Sequence, residues 1–217
     1  MPPLSSRSQF VTALAAWFVG PVAALAQGAS VSAVVLSARH PLIGDPLTGA
    51  AISVSLPRRD ERLTLRLEAD RLRGRANRIG IACAGFIWPG SCPTEQLRDE
   101  VRLTSASGGA AFRVLHRRRT LLALTADLTL ASVRAETHGL TSGGNLDASK
   151  VLWGGRIGAI AAWTPAARVP IALEIEGGIG RLMPIVREDV VDGYTPFNRG
   201  FDVRRFRVGV AWRPSRL

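Results

Sequence analysis

Three histidines are the only imidazoles in the chain: His40, His116 and His138. A hydrolase needs a nucleophile and a general base within hydrogen-bond reach of each other. His138 is the candidate with the most company, with Ser132, Glu136 and Ser142 close by in sequence, while His40 has Asp45 nearby. Neither set has the His-x-Ser spacing that would put a base and a hydroxyl on one face of a strand, since His138 has Glu136 and Leu140 two residues away. Glu188, Asp189 and Asp192 could offer oxygen ligands to Ca²⁺, but they lack the regular loop spacing of a built site and read as a solvated acidic cluster. The paired glycines Gly108-Gly109, Gly143-Gly144 and Gly177-Gly178 have no strand–loop–helix setting and no lysine. They read as turn, loop and wall glycines rather than phosphate cradles. No catalytic residue, cofactor or metal site is expected.

Cys83 and Cys92 are the only cysteines. No histidine or third cysteine lies near enough to complete a tetrahedral metal set. Their meaning depends on compartment, and the N-terminus supplies one. Met1 to Gln9 is polar with a single charge, Arg7; Phe10 to Ala23 is apolar; Ala24-Leu25-Ala26 is a small-x-small cleavage site. This is the pattern of a secretory signal peptide over residues 1–26, too short and too interrupted by Pro21 for a spanning helix. In an oxidising compartment the two cysteines are expected to pair as a disulfide.

The remainder, 27–217, is long enough for one domain. The formal charge is +11, but Lys150 is the only lysine and the arginines are dispersed, so nucleic-acid binding is not expected. Helical periodicity is nearly absent. Stretches of about ten residues alternate between apolar and polar, with strands expected near 30–39, 50–57, 62–72, 109–116, 120–134, 151–163, 170–182 and 202–213. The connections Pro57–Glu61, Arg117–Arg119 and Thr164–Val169 are short. His40–Gly49, Arg73–Gly108, Ala135–Lys150 and Met183–Phe201 are longer. Short and long connections in strict alternation describe an antiparallel up-and-down meander with all short turns at one end.

The alternation divides each strand into a greasy and a polar face. Leu65, Leu128, Ile157, Ile175 and Val208 represent the greasy one. The polar faces carry many small residues, among them Gly154, Gly158, Gly178, Gly180 and Gly209, suited to a crowded lumen. They also carry five arginines, Arg66, Arg113, Arg156, Arg205 and Arg207, against five carboxylates, Glu68, Asp70, Asp127, Glu174 and Glu176. Such balance suits a buried charge network, because an unpaired buried charge is costly. Trp163 and Trp212 fall on greasy faces near the short turns, where an interfacial aromatic belt belongs. The fold class expected is all-β: a transmembrane antiparallel up-and-down β-barrel of eight strands.

The last strand, Arg207-Val208-Gly209-Val210-Ala211-Trp212, resembles the C-terminal signal read by the barrel assembly machinery, though Pro214 takes the place of the final aromatic residue. With the strand pattern, the whole mature chain resembles the small outer-membrane β-barrel family, the OmpA/OmpX-like group. The resemblance implies a bacterial outer-membrane location. It implies outer-membrane lipid, lipopolysaccharide and the assembly machinery as partners, with any external partner unnamed. It implies a non-catalytic structural or interaction role for loops presented outside the cell. A narrow channel for ions or small solutes is the alternative. Lipid A-modifying enzymes occur in such barrels and form a third, weaker reading, since the histidines lack the spacing.

Overall fold

The computed structural model describes residues 28–40, 43, 45–57, 62–81, 94–140, 145–166, 169–186, 197 and 199–212. The signal-peptide segment, both cysteines, Ser142, Gly143, Gly144 and the acidic residues 188, 189 and 192 lie outside them.

Eight strands follow in order: β1 Gly28–Ala38, β2 Leu47–Pro57, β3 Leu63–Ile81, β4 Thr94–Arg117, β5 Thr120–Gly139, β6 Asn145–Trp163, β7 Ile171–Pro184 and β8 Phe201–Trp212. Each is antiparallel to its sequence neighbours, and β1 pairs with β8 from Ala29↔Trp212 to Ala38↔Val203, closing the barrel. Within the closed ring each strand is paired on both sides, a requirement in hydrocarbon.

Four strands are much longer than their alternation suggests. β3 to β6 span 19, 24, 20 and 19 residues, against 11 for β1 and β2. Two expected loops are therefore corrected. Most of Arg73–Gly108 is strand, with β3 and β4 paired out to Ile81↔Thr94. Most of Ala135–Lys150 is strand as well, with β5 and β6 paired out to His138↔Asn145. Gly108 and Gly109, expected in a turn, stand in the middle of β4. At the long-connection end, β3 to β6 rise as a four-stranded crown beyond their neighbours, since β2–β3 pairing stops at Thr48↔Arg73 and β6–β7 pairing at Leu152↔Pro184.

The alternation misleads because its polarity inverts along each strand. On β3, Leu63, Leu65 and Leu67 point outward while Arg66, Glu68 and Asp70 are buried inside; further along, Arg71, Arg73 and Arg75 point outward and Leu72 is buried. On β8, Phe206 and Val208 are exposed and Arg205 and Arg207 buried, whereas beyond them Arg204 and Asp202 are exposed and Val203 and Phe201 buried. β5 changes between exposed Leu130 and exposed Arg134, with Val133 and Ala135 buried. A greasy exterior belongs in lipid, and a charged exterior over an apolar interior belongs in water. The inversion thus marks one surface of the bilayer on the barrel wall. The first charged outward residue at that level is arginine on β3, β4, β5, β7 and β8 and just past the end of β1: Arg71, Arg102, Arg134, Arg181, Arg204 and Arg39. At the opposite end Trp163 and Trp212 are outward and about half exposed.

Candidate functional site

The lumen is built in three layers. Nearest the short turns lies a vestibule of about 220 Å³ lined by Ser30, Ser53, Arg113, Ala123 and Ile160 and bounded by Arg66, Glu174 and Arg207. Next comes a layer of charge. Last, toward the crown, is an apolar plug.

Glu68 is the hub of the charged layer. Its carboxylate contacts Arg66 at 2.8 Å, Arg205 at 2.8 Å, Arg207 at 3.0 Å and Arg156 at 3.2 Å. Asp127 holds Arg156 at 2.8 Å, and Asp70 holds Arg205 at 3.0 Å while accepting a hydrogen bond from the Ser105 hydroxyl at 2.6 Å. Glu176 lies 2.6 Å from Arg207 and 2.9 Å from Arg66. Glu174 lies 3.5 Å from Arg207. All nine residues are buried. The Arg66–Glu176 pair joins β3 to β7, opposite walls of an eight-membered ring, so ion pairs cross the whole diameter.

Nine of the ten residues expected in a lumen network therefore meet in one cluster. Arg113 does not. It points into the vestibule beside a register shift between Arg113 and Leu115, and makes no ion pair with any described residue. Without it the layer holds four guanidiniums and five carboxylates. Small residues make the layer possible. A Cβ added at Gly109 would approach the Ala126 carbonyl oxygen to 2.2 Å and Asp127 Oδ1 to 2.4 Å, and one at Gly180 would meet the Gly155 carbonyl oxygen at 2.5 Å.

The plug escaped the sequence reading. Leu72, Leu103, Val133, Leu152 and Leu182 from the walls pack with Phe201 and with Ile43 and Phe197 from two connections, each no more than 5 % exposed. His40 stacks on Phe197 with ring centroids 4.3 Å apart, and burial lowers its pKa below the usual imidazole value. Phe197 adopts φ 63°, a left-handed conformation rare for a bulky residue. The signal was present as apolar residues on the polar face at the ends of the expected strands, Leu72, Val133, Leu152 and Leu182, and beyond them at Leu103 and Phe201.

The crown's outer face carries an alternating ion ladder. Arg75–Glu100 at 2.6 Å, Glu100–Arg102 at 3.1 Å, Arg102–Glu136 at 4.0 Å, Glu136–Arg134 at 3.2 Å and Arg134–Asp147 at 2.6 Å link all four strands. Its members are mostly exposed, so each pair is worth little singly. The hydrogen bond from Arg75, with a second from Arg102, holds the Glu100 carboxyl below its ordinary range. Ser132, Glu136 and His138 also share this outward face. Ser132 and His138 are six residues apart on one strand, roughly 20 Å, which separates them as nucleophile and base. His116 stands at the short-turn end, paired with Leu121.

No protein-family model matches the chain, and no curated protein matches it. Among solved structures the chain is similar to a major outer membrane protein of Thermus thermophilus, with TM-score 0.56, 15 % identity, and 86 % of this chain and 98 % of that one covered. It is also similar to Neisserial surface protein A, with TM-score 0.53, 12 % identity, and 86 % and 96 % covered. The chain has the eight-stranded up-and-down barrel fold of small outer-membrane proteins.

Proposed function

We propose that this chain is a non-catalytic barrel of the bacterial outer membrane whose lumen is sealed and whose crown presents an interaction surface to the outside. One observation carries the reading. The lumen is crossed wall to wall by Arg66–Glu176 and the four contacts of Glu68, and then stopped again by the apolar plug. A conducting pore needs a continuous wet path, and here two dissimilar layers interrupt it. Buried ion pairs of this kind are expensive to open, because parting one leaves an uncompensated charge. The belt of exposed Leu65, Leu128, Ile157, Ile175 and Val208 supports insertion in lipid. The crown of β3 to β6, with its charged outer face, supports a surface held above the bilayer. Membrane lipid and the barrel assembly machinery are the partners this reading requires.

The test is membrane fractionation with gel heat-modifiability, followed by planar-bilayer conductance of the refolded protein. The expected result is a heat-modifiable species in the outer-membrane fraction with no conductance steps. Stable ohmic steps from a folded sample would replace this reading with a narrow channel.

A further inference from the structure

At the bilayer boundary the positive charges of the wall are unevenly answered. Arg102 and Arg134 have Glu100, Glu136 and Asp147 beside them. Arg39, Arg181 and Arg204, at the adjacent strands β1, β7 and β8, have only Asp202, which Arg181 reaches at 3.4 Å with both side chains more than half exposed. Arg39 and Arg204 make no ion pair with any described residue; neither does Arg71, which stands apart from them on β3, two strands from β1. Three outward guanidiniums thus stand together where the lipid headgroups begin.

These arginines head an open groove of about 1060 Å³ that runs down the outer wall across β6, β5 and β4. Its floor is Gly155, Ala126, Ala110 and Gly108, and Leu128, Ile157 and Ile179 rise around it. Register places Gly155 directly beside Arg181 and sets Leu128 between Gly108 and Gly155. Leu128 is 71 % exposed in consequence. The floor glycines are unlike those of the lumen. A Cβ at Gly155 would meet nothing nearer than the Asp127 carbonyl oxygen at 3.9 Å, and at Gly108 nothing nearer than Leu67 Cδ2 at 3.4 Å. The backbone therefore does not require glycine there. Its effect is to leave low ground in the lipid-facing surface on both sides of Leu128, one interstrand gap or about 5 Å to either side.

We propose that this trough and its arginines bind one phosphorylated glycolipid of the outer leaflet, of the lipid A type. Its phosphates sit among Arg39, Arg181 and Arg204, and acyl chain lies along Gly155, Ala126 and Gly108. Guanidinium matches phosphate through paired charge-assisted hydrogen bonds. Three clustered cations suit a headgroup with more than one phosphate, and the trough beneath takes a lipid tail that a free phosphate lacks. The inference rests on the outer-membrane reading above.

Refolded full-length barrel in detergent is titrated with bis-phosphorylated lipid A and with the same lipid enzymatically dephosphorylated, binding being read by native mass spectrometry. The phosphorylated form binds and the dephosphorylated form binds at least tenfold more weakly. Each of Arg39→Gln, Arg181→Gln and Arg204→Gln weakens binding about fivefold, and the triple variant roughly a hundredfold, as expected for basic residues at an anionic membrane surface. Gly155→Leu fills the trough in open space and weakens binding with the arginines intact. Arg102→Gln/Arg134→Gln, whose cations already have carboxylates, changes affinity less than twofold. Equal binding of the two lipids, or a triple variant that binds like wild type, overturns the proposal while leaving the barrel reading in place. A chain that gives no heat-modifiable species in the outer-membrane fraction overturns both.

Discussion

Replacing Glu68 by Gln is the sharpest test of the charged layer, because this residue is the contact shared by all four lumen guanidiniums. Gln keeps the shape and one acceptor but removes the charge that Arg66, Arg156, Arg205 and Arg207 meet at 2.8–3.2 Å. None of the four is left wholly alone. Arg156 retains Asp127, Arg205 retains Asp70, and Arg66 and Arg207 share Glu176. The loss therefore falls at the lower end of the range for breaking a buried pair, about 3 kcal/mol. Glu174→Gln weakens the 3.5 Å contact with Arg207 but leaves Glu68 and its four guanidiniums in place, so it should cost less than Glu68→Gln. Urea unfolding in lipid vesicles, followed by the heat-modifiable gel band, measures both. Raising salt from low to molar concentration should leave the difference between the variants in place, because buried pairs are poorly screened. If Glu68→Gln lies within about 1 kcal/mol of wild type, or if its effect vanishes with salt, water reaches these groups and the sealed-lumen argument fails.

Other outcomes follow from the same geometry. Leu128→Arg, outward in the belt, should cost ~2–4 kcal/mol, whereas the same change at outward Thr104, beside the inversion, should cost at most ~1 kcal/mol; equal costs would misplace the membrane surface. Gly109→Ala should lower the yield of folded barrel, since its Cβ has no room, while Gly155→Ala should be silent in the same gel assay. Cys83 and Cys92 are expected to be oxidised: β3 and β4 pair as far as Ile81↔Thr94, so each cysteine is two residues from an end already held beside the other. Thiol labelling of the unreduced, denatured protein should find neither, and labelling of both would refute the bridge. His40, whose burial lowers its pKa, favours the neutral imidazole in the fold. The unfolded chain then binds the extra proton, so the stability contributed at the plug is full above about pH 6.5 and falls as pH drops below it. Fluorescence or proteolysis of the 185–200 connection should report loosening in acid that His40→Phe abolishes.

The membrane-facing half of the molecule was legible because one physical contrast governs it. Val208 against Arg207, or Leu128 against Asp127, differ in face and in medium together, so period-two alternation reports both. The crown was not legible for the same reason. Beyond Arg71 or Arg134 the alternation continues with its sign reversed, and a rule that equates greasy with outward stops where the strand does not. Val101, Leu103 and Ala135 then look like the debris of a loop rather than the walls of a plug. The inward charges were legible as residues but not as partners. Arg113 stands apart because it lies four residues along β4 from Gly109, the neighbour of Arg66, and so faces the vestibule, a height in the lumen that composition does not encode.

The sign reversal also explains how one chain combines a filled barrel with a tall exterior sheet. In lipid the wall must be apolar, so polarity goes inward, and an eight-stranded lumen is narrow enough for those charges to meet across it. Above the headgroups water takes over the exterior, and the interior turns mainly apolar, with Asp99, Thr137 and Lys150 as buried polar exceptions. The charged layer and the plug are thus two answers to one constraint, the closing of a single cylinder that passes through two solvents. The outward arginines fall at the join because that is where a cation meets water on one side and anionic headgroups on the other. Their pairing is uneven there: Arg102 and Arg134 are answered by carboxylates of the crown, Arg181 by Asp202, and Arg39, Arg71 and Arg204 by no carboxylate among the described residues.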